Sequence, residues 1–287
     1  MLRLKTLPFI PLILFLSVSA LGQQSPNFKY KSLELYGVIQ QGAMVQGKVS
    51  QARKLTVLEK EIYLDDDGYF VFGLGRDAAK DVLMQVEWEN GNQEEIRIPV
   101  AQRSYNLQRI EGVDDKYVRE LDPETLKRVR AEAAQVWQAR QHLRIAADFK
   151  EKFRWPAEGP ITGVYGSQRI YNGVPKRPHY GLDIAGPVGT PIYAPASGVV
   201  RLTHNDMYYS GGTLVIDHGQ GISSTFIHLS KILVAENQSV KAGDLIAEMG
   251  ASGRVTGPHL DWRMNWYDQR LDPQLLLPEK VDKAAQK

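Results

Sequence analysis

Over most of the chain, hydrophobic and polar positions alternate with a period near two, so the elements they predict are mainly strands. From about Asn27 to Arg109, short apolar runs recur every ten residues or so, at 37–39, 43–47, 54–58 and 69–73. Residues 82–88 and 96–98 flank Asn90-Gly91, a pair that accepts the positive φ of a tight turn, and predict a hairpin. Together these runs predict a small β-sandwich over 27–109. The period then changes. Leu126, Val129, Ala133, Val136 and Trp137 keep helical spacing, resumed by Leu143, Ala146, Ala147 and Phe149. Asp122 is placed to cap this run, with Pro123 at the first helical position. The pattern predicts a helical connector over 115–155 with a solvated basic face. From Trp155 onward, strand-like text rich in Gly and Pro returns, at 192–200, 212–218 and 244–250. In the stretch that begins at His259, Leu260, Trp262, Met264 and Trp266 alternate with His259, Asp261, Arg263 and Asn265. One side of that strand belongs in a core and the other, wholly polar, would line a cleft.

Composition narrows the chemistry. The 287 residues are enough for two domains, and 43% hydrophobic with 24% charged residues describes a soluble globular chain. A net charge of +2 gives no reason to expect nucleic acid as a partner. The chain has no cysteine, so any metal must be held by His, Asp or Glu. Met1-Leu2-Arg3-Leu4-Lys5, the apolar run at 7–16 and the small residues around Ala20-Leu21-Gly22 predict a cleaved secretory signal over 1–22. The mature protein would then be periplasmic or secreted, with no stable membrane span. Asp65-Asp66-Asp67-Gly68 is read as a solvated turn, since its carboxylates are consecutive and no Glu closes a calcium loop. Gly250–Gly257 lacks the Gly-Lys-Ser/Thr of a phosphate loop and precedes a strand, which excludes that class.

Five residues are candidates for metal chemistry. His179 and Asp183 are four apart in Pro178-His179-Tyr180-Gly181-Leu182-Asp183, where a straight strand would separate their Cα atoms by roughly 13 Å. Both reach one ion only if the chain bends, and Gly181 at the midpoint makes a bend cheap. His259 and Asp261 are neighbours on one strand face, roughly 6.6 Å apart along it. His228, in Phe226-Ile227-His228-Leu229, follows a run with strand character. His204 and His218 lie in or beside turn-like text and are assigned no role.

His179-Tyr180-Gly181-Leu182-Asp183 is followed by Gly189-Thr190-Pro191-Ile192-Tyr193-Ala194-Pro195, Asp217-His218-Gly219, Phe226-Ile227-His228-Leu229-Ser230, Val240-Lys241-Ala242-Gly243-Asp244 and Thr256-Gly257-Pro258-His259. From about Pro160 to Pro273 this order resembles the lysostaphin/LytM-type zinc metallopeptidases. The resemblance implies a duplicated hybrid motif β-barrel over 156–277, between the helical connector and a tail at 278–287. It also implies hydrolysis of peptide cross-links or stem peptides of bacterial peptidoglycan. His179 and Asp183 are then Zn2+ ligands, and His228 and His259 the catalytic histidines. The family's third ligand is the second His of His-x-His, where this chain has Asp261, and the acid often found two residues on is here Arg263. Two readings stay open. Asp261 ligates the ion, in a slower site or one that prefers a harder ion such as manganese, or Asp261 pairs with Arg263 and the site holds metal weakly. The second reading leads to a wall-binding or regulatory protein that uses the same groove to engage peptide, an amidase or a divisome partner.

Overall fold

The computed structural model describes residues 25–110 and 122–279, and the segment read as a secretory signal lies outside them. The chain is mainly β, as the patterning predicts. Two four-stranded sheets form its N-terminal part. One runs β1 (Phe28–Tyr30), β2 (Leu33–Tyr36), β3 (Met44–Lys48) and β6 (Tyr69–Gly73); the other runs β5 (Lys60–Ile62), β4 (Ala52–Val57), β7 (Asp81–Trp88) and β8 (Gln93–Pro99). Leu35, Val45 and Phe72 of the first meet Leu55, Met84 and Ile98 of the second in one core. The β7–β8 hairpin turns where Asn90-Gly91 requires it, with Gly91 at φ 84°. Residues 37–39 are loop rather than strand; the strand ends at Tyr36, and Gly37 turns the chain at φ 81°.

The helix is shorter than its sequence period suggests. It covers Pro123–Ala139 (α1), with Asp122 Oδ1 accepting from the amides of Glu124 and Thr125, and stops at Arg140 although no Gly or Pro intervenes. Of the connector expected over 115–155, residues 115–121 lie outside the described chain, and 141–147 have no regular structure. Tertiary contacts override propensity there. Arg140 turns inward to the Thr225 hydroxyl, Arg144 bonds the Asp217 carbonyl, and the Gln220 amide donates to the Arg144 carbonyl. Trp137, assigned by its spacing to the packed side, is exposed, while Glu132 is buried, bonded by Arg128 and the Tyr208 amide.

The C-terminal part is built on a ten-stranded sheet. Its path is β10 (Ile161–Gly163), β13 (Leu182–Ala185), β20 (His259–Trp266), β17 (Ile222–Ile232), β16 (Gly211–Gly219), β15 (Gly198–Met207) and β18 (Ser239–Val240). Off this path, β19 (Leu245–Met249) pairs with β14 (Pro191–Tyr193) and β17, and β21 (Gln269–Leu271) extends β20. A small third sheet joins the two parts through β9 (Leu107–Ile110), β11 (Gln168–Tyr171) and β12 (Val174–Pro175). Gly73 of β6 lies so close to β20 that a Cβ there would sit 2.6 Å from that of Trp266, and one apolar core runs through both parts. Among the described residues no helix is long and apolar enough to cross a membrane.

Candidate metal centre

Antiparallel pairing places the first candidates. In the register of β13 on β20, Asp183 stands directly opposite Asp261. Leu260, Trp262, Met264 and Trp266 fill the core on one face, so both carboxylates lie on the other. His179 precedes β13, separated from it by a bend at Gly181, and its backbone is tied to the turn at 164–167 by two hydrogen bonds with Ser167 and Gly166. The bend does what the spacing required. His179 Nε2 comes to 3.0 Å from Asp183 Oδ1 and 3.5 Å from Asp261 Oδ2, and one ligand atom from each residue lies within 4.8 Å of the others.

Two carboxylates and one imidazole nitrogen thus face one another. His179 Nδ1 is 3.2 Å from the Val164 carbonyl, which holds one ring proton there and turns Nε2 toward the two carboxylates. Although Nε2 and Asp183 Oδ1 are close, their angles do not make a hydrogen bond, and both are buried without a hydrogen-bond partner. Burial by itself would lower the pKa of His179, but the Asp183 and Asp261 carboxylates outweigh it and raise it to about 10. The point between the three side chains therefore favours positive charge. Two glycines make the room: a Cβ on Gly163 would collide with the Asp183 carboxylate, and one on Gly181 with that of Asp261. One imidazole and two carboxylates are an ordinary donor set for zinc, and the geometry fits such an ion.

Arg263 complicates Asp261. Its Nε lies 3.0 and 3.1 Å from the two carboxylate oxygens, and its Nη2 2.5 Å from Oδ2. Burial opposes ionisation of Asp261, yet the guanidinium and His179 hold its carboxyl far below the usual range. Both readings of this residue thus coexist in one geometry: Asp261 faces His179 and grips Arg263.

His228 and His259 lie beside this cluster, with ring centroids 4.9 Å apart. His228 sits at a register shift in β17 with φ 67°, a conformation that costs energy for a non-glycine residue and aims its ring out of the ladder. Its Nδ1 donates to the Ser252 carbonyl at 2.9 Å, and His259 Nδ1 to that of Gly257 at 2.9 Å. Each Nε2 is left as an acceptor. Burial pushes the His228 pKa below its ordinary value, which keeps the ring neutral. His218 is a core residue, bonded to the Ser197 carbonyl and the Ser224 hydroxyl. The carbonyls of Val164 and Ser252, which set the two tautomers, carry no sequence signal, because any residue supplies one. A separate concavity lined by Tyr36, Met44, Lys150, Phe153 and Leu276 includes none of these groups.

Comparison with known proteins bears on the part of the chain that carries this cluster. Residues 177–273 match peptidase family M23. The peptidoglycan DD-endopeptidase ShyA of Vibrio cholerae is 42% identical over 115 residues, 39% of this chain and 26% of its own length. The murein hydrolase activator NlpD of Escherichia coli is 32% identical over 128 residues, 45% of this chain and 32% of its own. The chain thus spans about a quarter to a third of these relatives. The crystal structure of a putative peptidase M23 from Pseudomonas aeruginosa superposes with a TM-score of 0.65 at 28% identity, covering 83% of this chain and 94% of that one, so the likeness extends into the N-terminal sheets. Residues 177–273 form a domain of peptidase family M23, of the lysostaphin/LytM type.

Proposed function

We propose that the protein is a zinc-dependent endopeptidase that cuts cross-links or stem peptides of bacterial peptidoglycan in the periplasm or outside the cell. The observation that carries this reading is the convergence of His179, Asp183 and Asp261, one ligand atom of each lying within 4.8 Å of the others. These three would hold the ion. Zinc bound there supplies Lewis acidity toward the scissile carbonyl and makes a water more acidic. The protein's own groups do the rest. His228, kept neutral by burial, and His259, each anchored through Nδ1, present Nε2 to take a proton from the attacking water or, once protonated, to bond the developing oxyanion.

A second reading rests on the three hydrogen bonds from Arg263, which satisfy Asp261 without any ion. Under it the domain binds wall peptide or controls an amidase; one relative, NlpD, is a murein hydrolase activator. Metal analysis of the purified protein and of Asp183→Ala, together with peptide release from isolated sacculi, separates the two. Stoichiometric zinc and peptide release in the wild type, both lost in the variant, support the peptidase. Protein that neither retains zinc nor releases peptide supports the binding protein.

A further inference from the structure

The polar face of β20 does not end at Asp261. Arg263 and Asn265 continue it, and the neighbouring strands place Thr225 opposite Arg263 and Arg270 opposite Asn265. Arg270 Nη1 lies 3.4 Å from Asn265 Oδ1. Arg140, arriving from the end of α1, bonds the Thr225 hydroxyl through Nη2 at 3.0 Å. Arg177 and Arg270 each stand 5.8 Å from the ring centroid of Tyr180, the residue after His179. Four guanidiniums from four separate segments therefore gather along this polar face, beginning two residues from the candidate metal ligands Asp261 and His179.

Their charges are not balanced. Arg263 has Asp261, but among the described residues Arg140, Arg177 and Arg270 have no ion-pair partner. Arg140 is 8% exposed, and its Nε is buried with no hydrogen-bond partner. Burial, with repulsion from Arg270, Arg263 and Arg177, pushes its pKa well below the ordinary guanidinium value; burial with repulsion from Arg263 and Arg177 lowers that of Arg270 to about 10. A purely structural arginine at the end of α1 would account for the single bond to Thr225. It does not account for a buried cation set among three others, an arrangement that is costly unless an anion completes it. Planar forks of N–H groups suit a carboxylate.

We propose that Arg140, Arg177 and Arg270, continuous with Arg263, form a subsite that seats a carboxylate of the peptide substrate beside the candidate metal centre. The inference rests on the groove being a peptide site and makes that reading more specific: the preferred peptides carry a free carboxylate close to the bond presented to His228 and His259. That carboxylate is either the peptide's C-terminus or an acidic side chain.

Calorimetric titration of the full chain, kept metal-free with chelator, tests this apart from any hydrolysis. The probes are the wall stem tetrapeptide L-Ala-γ-D-Glu-meso-diaminopimelyl-D-Ala, its C-terminal amide, and the forms amidated at each side-chain carboxylate. The free acid is expected to bind at least about ten-fold more tightly than one of these amides, and the amide that binds weakly identifies the seated group. Arg270→Gln, at a partly exposed position, is expected to reduce that preference to less than about three-fold, and Arg140→Lys, which keeps the charge but loses the fork, to reduce it in part. Equal binding of acid and every amide, no binding of the acid at millimolar peptide, or a preference unchanged in Arg270→Gln overturns the subsite. A sacculus assay without peptide release, alongside an intact acid preference, sinks the hydrolase and leaves the subsite standing.

Discussion

Two imidazoles on opposite faces of the C-terminal sheet have contrary fates. His179 on the open face meets two carboxylates, and its pKa rises to about 10 against the effect of burial. His218 on the core face is enclosed beside Phe153, with only the Ser197 carbonyl and Ser224 hydroxyl as partners, and burial pushes its pKa down. The sheet supplies both surroundings from one alternation. Trp262 and Met264 point one way and make a dry interior, while Asp261 and Arg263 point the other and concentrate charge. The difference shows that burial alone does not make a metal site. What distinguishes His179 is unsatisfied acceptor oxygen, brought to it by a bend before β13 and by the register of β13 on β20.

The largest test of the contrast is steric. Gly181→Ala places a methyl group against the Asp261 carboxylate, which cannot swing aside without leaving Arg263. The expected outcome is loss of stoichiometric zinc, with a fall in stability of about 1–3 kcal/mol by denaturant titration, as for other overpacked sites. Gly257→Ala, where an added Cβ meets nothing within 4 Å, is the control and should change neither. Zinc retained at wild-type stoichiometry in Gly181→Ala would show that Asp261 is dispensable to the site.

The next test is electrostatic. Arg263→Met removes both a competitor for Asp261 and a positive charge beside the ion. Zinc affinity is expected to rise about ten-fold, the scale of one charge-assisted hydrogen bond. Arg270→Met, farther along the same face, should leave zinc affinity within about three-fold. Weaker zinc binding in Arg263→Met would make that arginine an orienting partner of the ligand rather than its rival.

Much of this face could be read without coordinates. The two-residue period of β20 and the Gly-Pro punctuation around it are local signals, and so are the cap and first turn of α1. The family resemblance implies His179 and Asp183 as ligands and leaves Asp261 open between the ion and Arg263; the strand spacing adds that a bend is needed, and the bend is at Gly181. Other features depend on contacts distant in sequence. The helix ends at Ala139 because Arg140 and Arg144 find partners on β16 and β17, more than seventy residues away. The meeting of Arg140, Arg177, Arg263 and Arg270 has the same origin, since the period by itself predicts a solvated basic face for the connector that includes Arg140. Gly163 is set against Asp183 by strand pairing, with no local sign of it.

The smallest expected effect concerns the core face. His218 has a folded-state pKa below its unfolded value of about 6.5, so the folded chain binds fewer protons than the unfolded chain once pH falls into that range. Stability should therefore fall as pH drops below about 6.5, by at most about 1.4 kcal/mol per pH unit from this one ring. His228, lowered by the same cause, adds a slope of the same sign. His179 works in the opposite sense: its raised pKa contributes stability that is complete below about 6.5 and is lost as pH climbs toward 10. The contributions separate by substitution. His218→Gln should unfold at a lower temperature than the wild type at pH 7.5, because it disrupts a buried hydrogen-bonded pair. The gap should narrow at pH 5.5, where the wild type bears the cost of protonating His218 and the variant does not. A gap that stays constant or widens on acidification would mean that His218 is not held neutral by its surroundings, and that the two faces of the sheet differ less than their chemistry suggests.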